Sequence, residues 1–341
     1  MATVRQLARL AGVCPATVSR ALRDDPRISL ATRERVQELD AAFRRHPEQR
    51  FQALLAGRNG AIGCLLPYEG LPNDARVLQG ILEAAFSAAY HVTVIHARTT
   101  WQEVLLGYQA LAEAPVDGII MSHGWVENRM PLDMLLNFRS RGITLIGVGG
   151  MDVGMPIDTV QSDETAISAL MVDYLWDLGH RIIAYCGYVD DVRGGYVLAA
   201  LRRQGALASE YLATRGGSMN NALTALLTAP TPPTAIIAFS DLVAAELLQQ
   251  AWRREVRVPE DLSILGCSNI LPLPHYTTPP LTTIEEDPEE KGRQTVALLL
   301  ERLREDAPAA NRAPATRLIT PHLVIRESCA PPPSESPKVL F

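Results

Sequence analysis

The chain contains little cysteine, few aromatic residues and no long apolar segment. Its five cysteines are scattered among 341 residues without a CxxC pair, so we expect reduced thiols and neither disulfides nor a zinc site. No run approaches the roughly 18 uninterrupted apolar residues that a membrane span needs. Arg5 and Arg9 interrupt any N-terminal signal sequence. We therefore expect a cytoplasmic protein without a membrane partner.

The motifs of common enzyme classes are also missing. The sequence has no GxSxG, HExxH or Walker motif, and its seven histidines lack metal-ligand spacing. The glycines of IGVGGMDVG, residues 146–154, follow an apolar run, but their spacing is not GxGxxG and no helix start follows. We expect no enzymatic activity, no cofactor and no bound metal.

Charge is distributed unevenly along the chain. Residues 1–60 carry 11 Arg against 6 Asp and Glu, a net charge of +5, whereas residues 61–341 carry 21 basic and 32 acidic residues, a net charge of −11. Chance clustering could produce such a contrast. A small basic head on an acidic body is nevertheless typical of a nucleic-acid reader carried by a module that does not itself contact phosphate.

The head, VRQLARLAGVCPATVSRAL, predicts two short helices rather than one amphipathic helix. Gly12 is suited to the left-handed end of a first helix, and Pro15 to the first position of a second. One continuous helix would place both inside it, at a combined cost of roughly 4 kcal/mol. A third helix is predicted after Ser29 as its N-cap. The apolar residues expected to pack these three helices are Leu7, Ala8, Leu10, Ala11, Val18, Ala21, Leu22, Val36, Leu39 and Phe43.

From residue 61 the sequence alternates between short apolar runs and helical stretches. IGCLL, HVTVIH, VDGIIM, ITLIGV, RIIAYCG, TAIIAF and LSILGC are predicted as buried parallel strands. Segments such as VLQGILEAAFSAAY and AISALMVDYLWDLG have helical spacing. This alternation predicts a doubly wound α/β architecture.

The segment VRQLARLAGVCPATVSRALRDDPRISLATRERV resembles the head of the LacI/GalR family of bacterial transcription regulators. The resemblance continues through LGHRIIAYCG, VPEDLSILGCSN and PPLTTI to about residue 329. It implies an all-α helix-turn-helix head and a periplasmic-binding-protein-like body of two parallel-sheet subdomains. One departure is Cys14, where family members usually have a serine N-cap. Because a thiol is a poor N-cap, we expect this helix to be less stable than one capped by serine, by under about 1–2 kcal/mol.

The resemblance also implies the domain organisation. The chain should cross between subdomains three times, near Thr159, Glu286 and Ile319. The expected units are the head at 1–46, a hinge at 47–60, an N-terminal subdomain at 61–159 and 287–318, a C-terminal subdomain at 160–286 and 319–329, and a disordered tail at 330–341.

For DNA contact, the resemblance implies base readout by the second helix in the major groove. Arg20 can bond guanine bidentately, and a short Ala16 can meet a thymine methyl group. The hinge register places Leu54 as a wedge in the minor groove. Packing of Leu54 on the body is the alternative. The predicted DNA-binding residues are Thr3, Val4, Pro15, Ala16, Thr17, Ser19, Arg20, Arg27 and Leu54.

A small-molecule effector is expected in the cleft between the subdomains, beyond the carboxyl ends of the strands. Asp241 could instead cap the helix LVAAELLQQA, and His123 could be an ordinary loop histidine. The predicted effector-binding residues are Asn73, Asp74, Ser122, His123, Arg193, Asp241, Ser268 and Asn269.

The cleft departs from the family pattern at several positions. Gly149 and Ser268 stand where aspartate is frequent, and the usual effector arginine falls on Val192, with Arg193 one residue away. TRGGSMNNA lacks a stacking aromatic residue. We therefore expect a ligand other than a common hexose or purine, or none.

These observations predict a ligand-responsive transcription regulator, a repressor that binds double-stranded DNA at a palindromic operator as a homodimer. The short tail carries no leucine heptad, which favours a dimer over a tetramer. The alternative is a sensor-type protein whose cleft has lost its effector and which binds DNA independently of ligand.

Overall fold

The structure is a computed structural model of the 341-residue chain. The residues that it describes are 4, 8, 11–44, 59–67, 72–97, 101–122, 138, 140–149, 157–189, 191–214, 219, 221–305 and 313–334.

The head has the predicted break between two helices. Gly12 adopts the left-handed conformation, with φ of 69°, and helix α1 begins at Pro15 and ends at Ala21. Helix α2 spans Leu30–Arg44, and its N-cap is Ser29, whose hydroxyl accepts from the backbone N–H of Thr32 at 3.3 Å. A small core joins these helices to the segment before Gly12, and its buried members are Ala8, Ala11, Val18, Ala21 and Val36. Leu7 and Leu10 lie outside the described residues.

The N-subdomain is a six-stranded sheet with helices on its faces. Its strands are all parallel and lie in the order β11-β5-β4-β3-β1-β2. The strands are β1 (Ala61–Pro67), β2 (His91–Ala97), β3 (Gly118–Ser122), β4 (Thr144–Val148), β5 (Asp158–Ser162) and β11 (Thr316–Ile319). The helices are α3 (Pro72–Ser87), α4 (Trp101–Glu113) and α10 (Pro288–Arg304).

The C-subdomain contains a four-stranded parallel sheet in the order β7-β6-β8-β9 and a two-stranded antiparallel pair, β10-β12. The strands are β6 (Ile182–Tyr188), β7 (Leu207–Ala213), β8 (Ala235–Ala238), β9 (Ser263–Leu265), β10 (Thr283–Glu285) and β12 (His322–Val324). The helices are α5 (Glu164–Asp177), α6 (Val192–Gln204), α7 (Ala222–Leu227), α8 (Asp241–Arg253) and α9 (Leu273–Tyr276). The parallel α/β architecture of both subdomains is as predicted.

Three chain segments connect the subdomains. The chain leaves the six-stranded sheet after Ser162, returns to it after Glu286 and leaves it again after Ile319. The crossing expected near Thr159 therefore falls inside β5, because Thr159 pairs with Thr316 of β11. Buried apolar residues form separate clusters on the two sides of each sheet, so each subdomain has its own core.

Two glycines bring α3 and α10 into close contact across the face of the N-subdomain. A methyl group at Gly80 would overlap the backbone carbonyl of Glu289, and one at Gly292 would overlap that of Val77. This approach fixes α10, which follows the second crossing, against α3, whose first turn borders the cleft. Among the helices of the described ranges, none has the length and apolarity to cross a membrane.

The chain continues along the C-subdomain beyond residue 329. The backbone N–H of Ala330 donates to the Ser263 hydroxyl at 3.0 Å, and its carbonyl accepts from the His180 ring at 2.8 Å. Because these two bonds hold Ala330 on the body, the predicted disordered tail does not begin at residue 330. Residues 335–341 lie outside the described part.

Candidate nucleic-acid interface and ligand cleft

One face of α1 is available for DNA. Val18 is fully buried against the head core, whereas Pro15, Ala16 and Arg20 are exposed. Among the described residues, the Arg20 guanidinium has no hydrogen-bond or ion-pair partner. Its five donors are therefore free for a base edge, and guanine accepts two of them side by side.

Two arginines that follow α1 in the chain already have intramolecular partners. Arg23 donates from Nη2 to the Ser19 hydroxyl at 2.8 Å. Arg27, whose side chain is 78% exposed, pairs with Asp25 at 2.7 Å, and this hydrogen bond lowers the pKa of Asp25 to about 2. Solvent screens an exposed pair of this kind, so the pair contributes little to stability. Arg27 can thus exchange the carboxylate for a DNA phosphate at little cost.

Cys14 occupies the N-cap of α1 without capping it. Its backbone is extended, but its side chain makes no cap hydrogen bond to the helix backbone. The thiol instead lies 3.2 Å from the Thr17 hydroxyl, which lowers the thiol pKa. The N-terminal N–H groups of α1 therefore lack the side-chain acceptor that serine would supply, as the sequence predicted.

The structure places the remaining predicted DNA-binding residues as follows. Thr17 is half-buried, like Ser19, and Val4 is exposed. Thr3 and Leu54 lie outside the described residues, as does most of the hinge.

A cavity of about 170 Å³ lies between the subdomains, at the carboxyl ends of β1 and β4 and beside the first turns of α3 and α10. We call it the cleft cavity. Its described lining is Leu66, Asn73, Asp74, Val77, Val148, Gly149, Ser268, Glu286, Pro288 and Lys291. The position agrees with the general rule that ligands of open α/β sheets bind beyond the carboxyl ends of the strands.

A buried ionic network lies beside the cleft cavity, centred on Glu286 at the second crossing. Lys291 of the N-subdomain lies 3.6 Å from one Glu286 oxygen, and Arg193 of the C-subdomain donates to the other at 3.1 Å. Glu286 also accepts from the Ser268 hydroxyl at 2.6 Å and from Ser162. The Glu286 network is completed by Glu164, and its members are Ser162, Glu164, Arg193, Ser268, Glu286 and Lys291.

Arg193 is held almost entirely by protein groups. It makes a bidentate pair with Glu164, with both distances 2.8 Å, and donates to the carbonyl of Phe239 at 2.9 Å. Burial alone would raise the pKa of Glu286, but Arg193 and Lys291 hold it well below its ordinary value. The carboxylate is thus ionised at neutral pH, and both nearby cations are neutralised.

Asp241 has a structural environment. It is fully buried, and its carboxylate accepts from the backbone N–H of Ile270 and from the Thr283 hydroxyl. Burial raises its pKa to about 7 despite these bonds. The N-cap of α8 is Ser240, which accepts from the Val243 N–H at 3.4 Å. The alternative role of Asp241 as the cap was therefore wrong.

Two polar contacts join the subdomains at the edge of the cleft cavity. Asn73 donates to the Ser268 carbonyl at 2.6 Å, and Arg76 lies 3.4 Å from Glu285. Glu285 also accepts from Asn269 at 2.7 Å, so Asn269 is held inside the C-subdomain. The Asn73–Ser268 and Arg76–Glu285 contacts join the two subdomains directly, side by side with the cleft cavity.

The structure brings only some predicted effector residues together. Asn73, Asp74 and Ser268 line the cleft cavity, and Arg193 contacts it only through Glu286. Ser122 ends β3, His123 lies outside the described residues, and Asp241 and Asn269 do not line the cavity.

Four members of the Glu286 network were not predicted from the sequence: Ser162, Glu164, Glu286 and Lys291. The three charged ones lie in acidic or mixed-charge stretches that resemble solvated surface. The one available signal was the position of Glu286 at a predicted crossing.

Two family models match the two parts of the molecule. The model of bacterial regulatory proteins of the lacI family matches residues 3–41, which lie within the head. That of the periplasmic binding protein-like domain matches residues 172–329. The chain thus joins a lacI-family DNA-binding head to a periplasmic binding protein-like body. This combination, together with its similarity to transcriptional repressors, identifies the chain as a ligand-responsive DNA-binding transcription regulator and not an enzyme.

Curated relatives extend over nearly the whole chain. The HTH-type transcriptional repressor CytR of Escherichia coli K12 is 28% identical over 337 residues, covering 96% of each chain. The ribose operon repressor of the same strain is 25% identical over 328 residues, covering 94% of this chain and 98% of the relative.

Solved structures share the fold of this chain. A LacI transcriptional regulator from a Rhodococcus species is 25% identical with a TM-score of 0.67, covering 80% of this chain and 98% of its own. The lac repressor dimer bound to operator and the anti-inducer ONPF is 22% identical with a TM-score of 0.66, covering 96% and 99%.

Proposed function

We propose that this lacI-family member is a repressor that binds a palindromic operator as a homodimer in the cytoplasm. The observation that carries the proposal is the exposed face of α1, on which Arg20 has no hydrogen-bond or ion-pair partner among the described residues. One head offers a single short helix, so two heads related by a two-fold axis are needed to read two half-sites. The names of the curated relatives, both repressors, support repression.

The hinge at 47–60 is proposed to order when two copies meet on DNA. Leu54 of each copy would enter the minor groove and open a base step, at a cost of a few kcal/mol that contacts to the bent DNA offset. This assignment rests on the sequence register between Pro47 and Ile62.

The cleft cavity is proposed as the effector site. A ligand there contacts groups of both subdomains and alters their relative placement through the Asn73–Ser268 and Arg76–Glu285 contacts. Because the hinge enters the N-subdomain at β1, that placement decides whether two hinges can pair. Ligand and operator are then coupled through one two-state element.

A second candidate is DNA binding that does not respond to a ligand. The confinement of Arg193 between Glu164 and Glu286 favours it, because this arginine cannot reach a ligand without breaking a buried pair. The two candidates differ in one measurable quantity, the change of operator affinity with ligand.

Selection of bound sequences from a random duplex library tests the proposed function. Purified full-length protein at near-physiological salt should enrich a palindromic motif with a fixed half-site spacing. Enrichment of a single asymmetric site, or retention that depends on salt without any motif, would contradict the dimeric reader.

Leu54→Ala tests the hinge, with Leu55→Ala as the matched control. We expect the first variant to lose specific operator affinity and keep its weaker, salt-sensitive affinity for random duplex. Leu55→Ala should bind the operator like wild type. Equal losses in the two variants would instead favour packing of both leucines on the body.

A further inference from the structure

The guanidinium of Arg23 is bound along one edge to Ser19, one helical turn earlier in the chain. Its Nε donates to the Ser19 carbonyl at 3.0 Å, and its Nη2 donates to the Ser19 hydroxyl at 2.8 Å. The Arg23 backbone N–H bonds to the carbonyl of Arg20, so the Ser19 carbonyl at the end of α1 is left for the side chain. The side edge of the guanidinium therefore holds the last turn of α1 and the Ser19 side chain together.

This arrangement leaves hydrogen-bond donors on both residues. A serine hydroxyl that accepts from an arginine keeps its own hydrogen for another acceptor, and within the described part of the chain that hydrogen has none. Two of the five guanidinium N–H groups of Arg23 are used, so the end edge, made by Nη1 and Nη2, stays available. Parallel N–H groups on one edge of a guanidinium match two oxygens of a phosphate.

The charge of Arg23 is not neutralised by the two aspartates that follow it. Asp24 lies 3.6 Å from Arg33, and Asp25 pairs with Arg27 at 2.7 Å. In the head as far as it is described, no carboxylate pairs with Arg23. Its full positive charge is therefore available to an anion outside the chain.

Arg23 also lies on the face of α1 that carries the predicted base contacts. Ala16, Ser19, Arg20 and Arg23 are spaced by three and four residues, and such positions share one side of a helix. Arg23 and Arg20 are exposed on this side, and Ser19 is half-buried between them.

We propose that Arg23 is a phosphate-binding and positioning residue of the DNA interface. Its end edge binds a phosphate of the DNA backbone, and its side edge holds the Ser19 hydroxyl so that this hydroxyl donates to the backbone as well. The inference rests on the proposed function, in which this face of α1 meets DNA. It adds backbone contacts, which fix the placement of the helix, to the base contact of Arg20.

The salt dependence of DNA affinity tests the phosphate contact, because a role confined to the end of α1 would leave it unchanged. Full-length Arg23→Gln is titrated against random duplex and against the selected operator between about 50 and 200 mM salt. We expect affinity to fall by a similar factor for both DNAs, at least about tenfold at the lower salt. The slope of log affinity against log salt should become shallower by about 0.9 for each head bound. An unchanged slope, or a loss confined to the operator, overturns the proposal.

Arg203→Gln is the matched control. Arg203 is exposed in the last turn of α6, so this variant removes the same charge from the C-subdomain and not from the head. Its slope should equal that of wild type. An equally shallow slope in Arg203→Gln would assign the effect to net charge and overturn the phosphate contact.

A double-mutant cycle tests whether Arg23 positions Ser19. Arg23→Lys keeps the charge but replaces the fork by a single ammonium, so it should keep the wild-type salt slope and still bind DNA more weakly. In the Ser19→Ala background, Arg23→Lys should weaken binding by a smaller factor than in wild type. Equal factors in the two backgrounds would contradict the positioning role. The titrations on random duplex need no operator, so their failure leaves the operator selection unaffected, and failure of that selection leaves this slope measurable.

Discussion

Removal of Arg193 should destabilise the protein far more than removal of an exposed arginine with the same chemistry. Arg193→Met keeps much of the apolar stem but deletes a guanidinium that is 8% exposed and bonded to Glu164 and Glu286. Breaking one side of a buried ion pair costs about 3–5 kcal/mol. Glu164 is 26% exposed and Glu286 keeps Lys291, so we expect the lower end of that range.

The matched control is Arg257→Met. Arg257 binds Asp261 through Nε and Nη2, but its side chain is 70% exposed, so solvent screens the pair and the loss of stability should be much smaller than in Arg193→Met. Urea unfolding at pH 7 followed by circular dichroism measures both variants against wild type. Equal losses of unfolding free energy in the two variants would refute the conclusion that burial makes the Arg193 ion pairs important for stability.

A double variant and the dependence of stability on pH test whether the unpaired Glu286 carboxylate causes the loss of stability in Arg193→Met. Arg193→Met combined with Glu286→Gln removes the carboxylate that loses its main partner, so the double variant should recover part of the stability. In wild type the lowered pKa of Glu286 contributes stability that is present above about pH 4.5 and is lost as the pH falls. In Arg193→Met this carboxylate protonates more readily, so the deficit against wild type should shrink on acidification.

Three further predictions concern single side chains. Arg20→Ala should cost about 1–3 kcal/mol of operator affinity and relax base preference at one position, measured by titration of operator variants. Asp241→Asn should remove a pH dependence. Because the folded pKa is raised to about 7, wild type loses stability as the pH rises from about 4 to 7, and a variant with the same slope in urea midpoints would contradict this. His180→Gln should act in the opposite direction, since burial lowers the His180 pKa and wild type should lose stability as the pH falls below about 6.5. A wild-type slope that persists in His180→Gln would assign that loss to other groups.

The sequence predicted the strands that carry apolar runs. The seven apolar runs all form strands, and the described residues of all of them except the edge strand β2 are mostly buried, because a parallel strand between two helical layers is apolar throughout. β5 and β7 were missed for the opposite reason. The DTVQS of β5 is polar, and β7 is an edge strand with its first residues exposed, so neither has a continuous apolar run.

Residues of the candidate site could be predicted from the sequence only where they directly follow a predicted strand, because the end of the strand fixes their position. Ser268 comes after β9 and Asn73 begins the helix after β1, so both could be placed at the cleft. The Glu286 network could not, because the pairs that Arg193 and Ser162 make in it join residues between 29 and 129 positions apart. A charged residue in IEEDPEE gives no sign that it lies buried between two subdomains.

Coupling between the cleft cavity and the operator is the central feature of the proposed mechanism. We would titrate the selected operator with the full-length protein, without ligand and with a small molecule that raises its thermal unfolding temperature in the absence of DNA. We expect the ligand to change operator affinity by a definite factor and operator DNA to change ligand affinity by the same factor. Identical operator affinities with and without a ligand that demonstrably occupies the cavity would contradict the proposed coupling and favour a regulator that does not respond to a ligand.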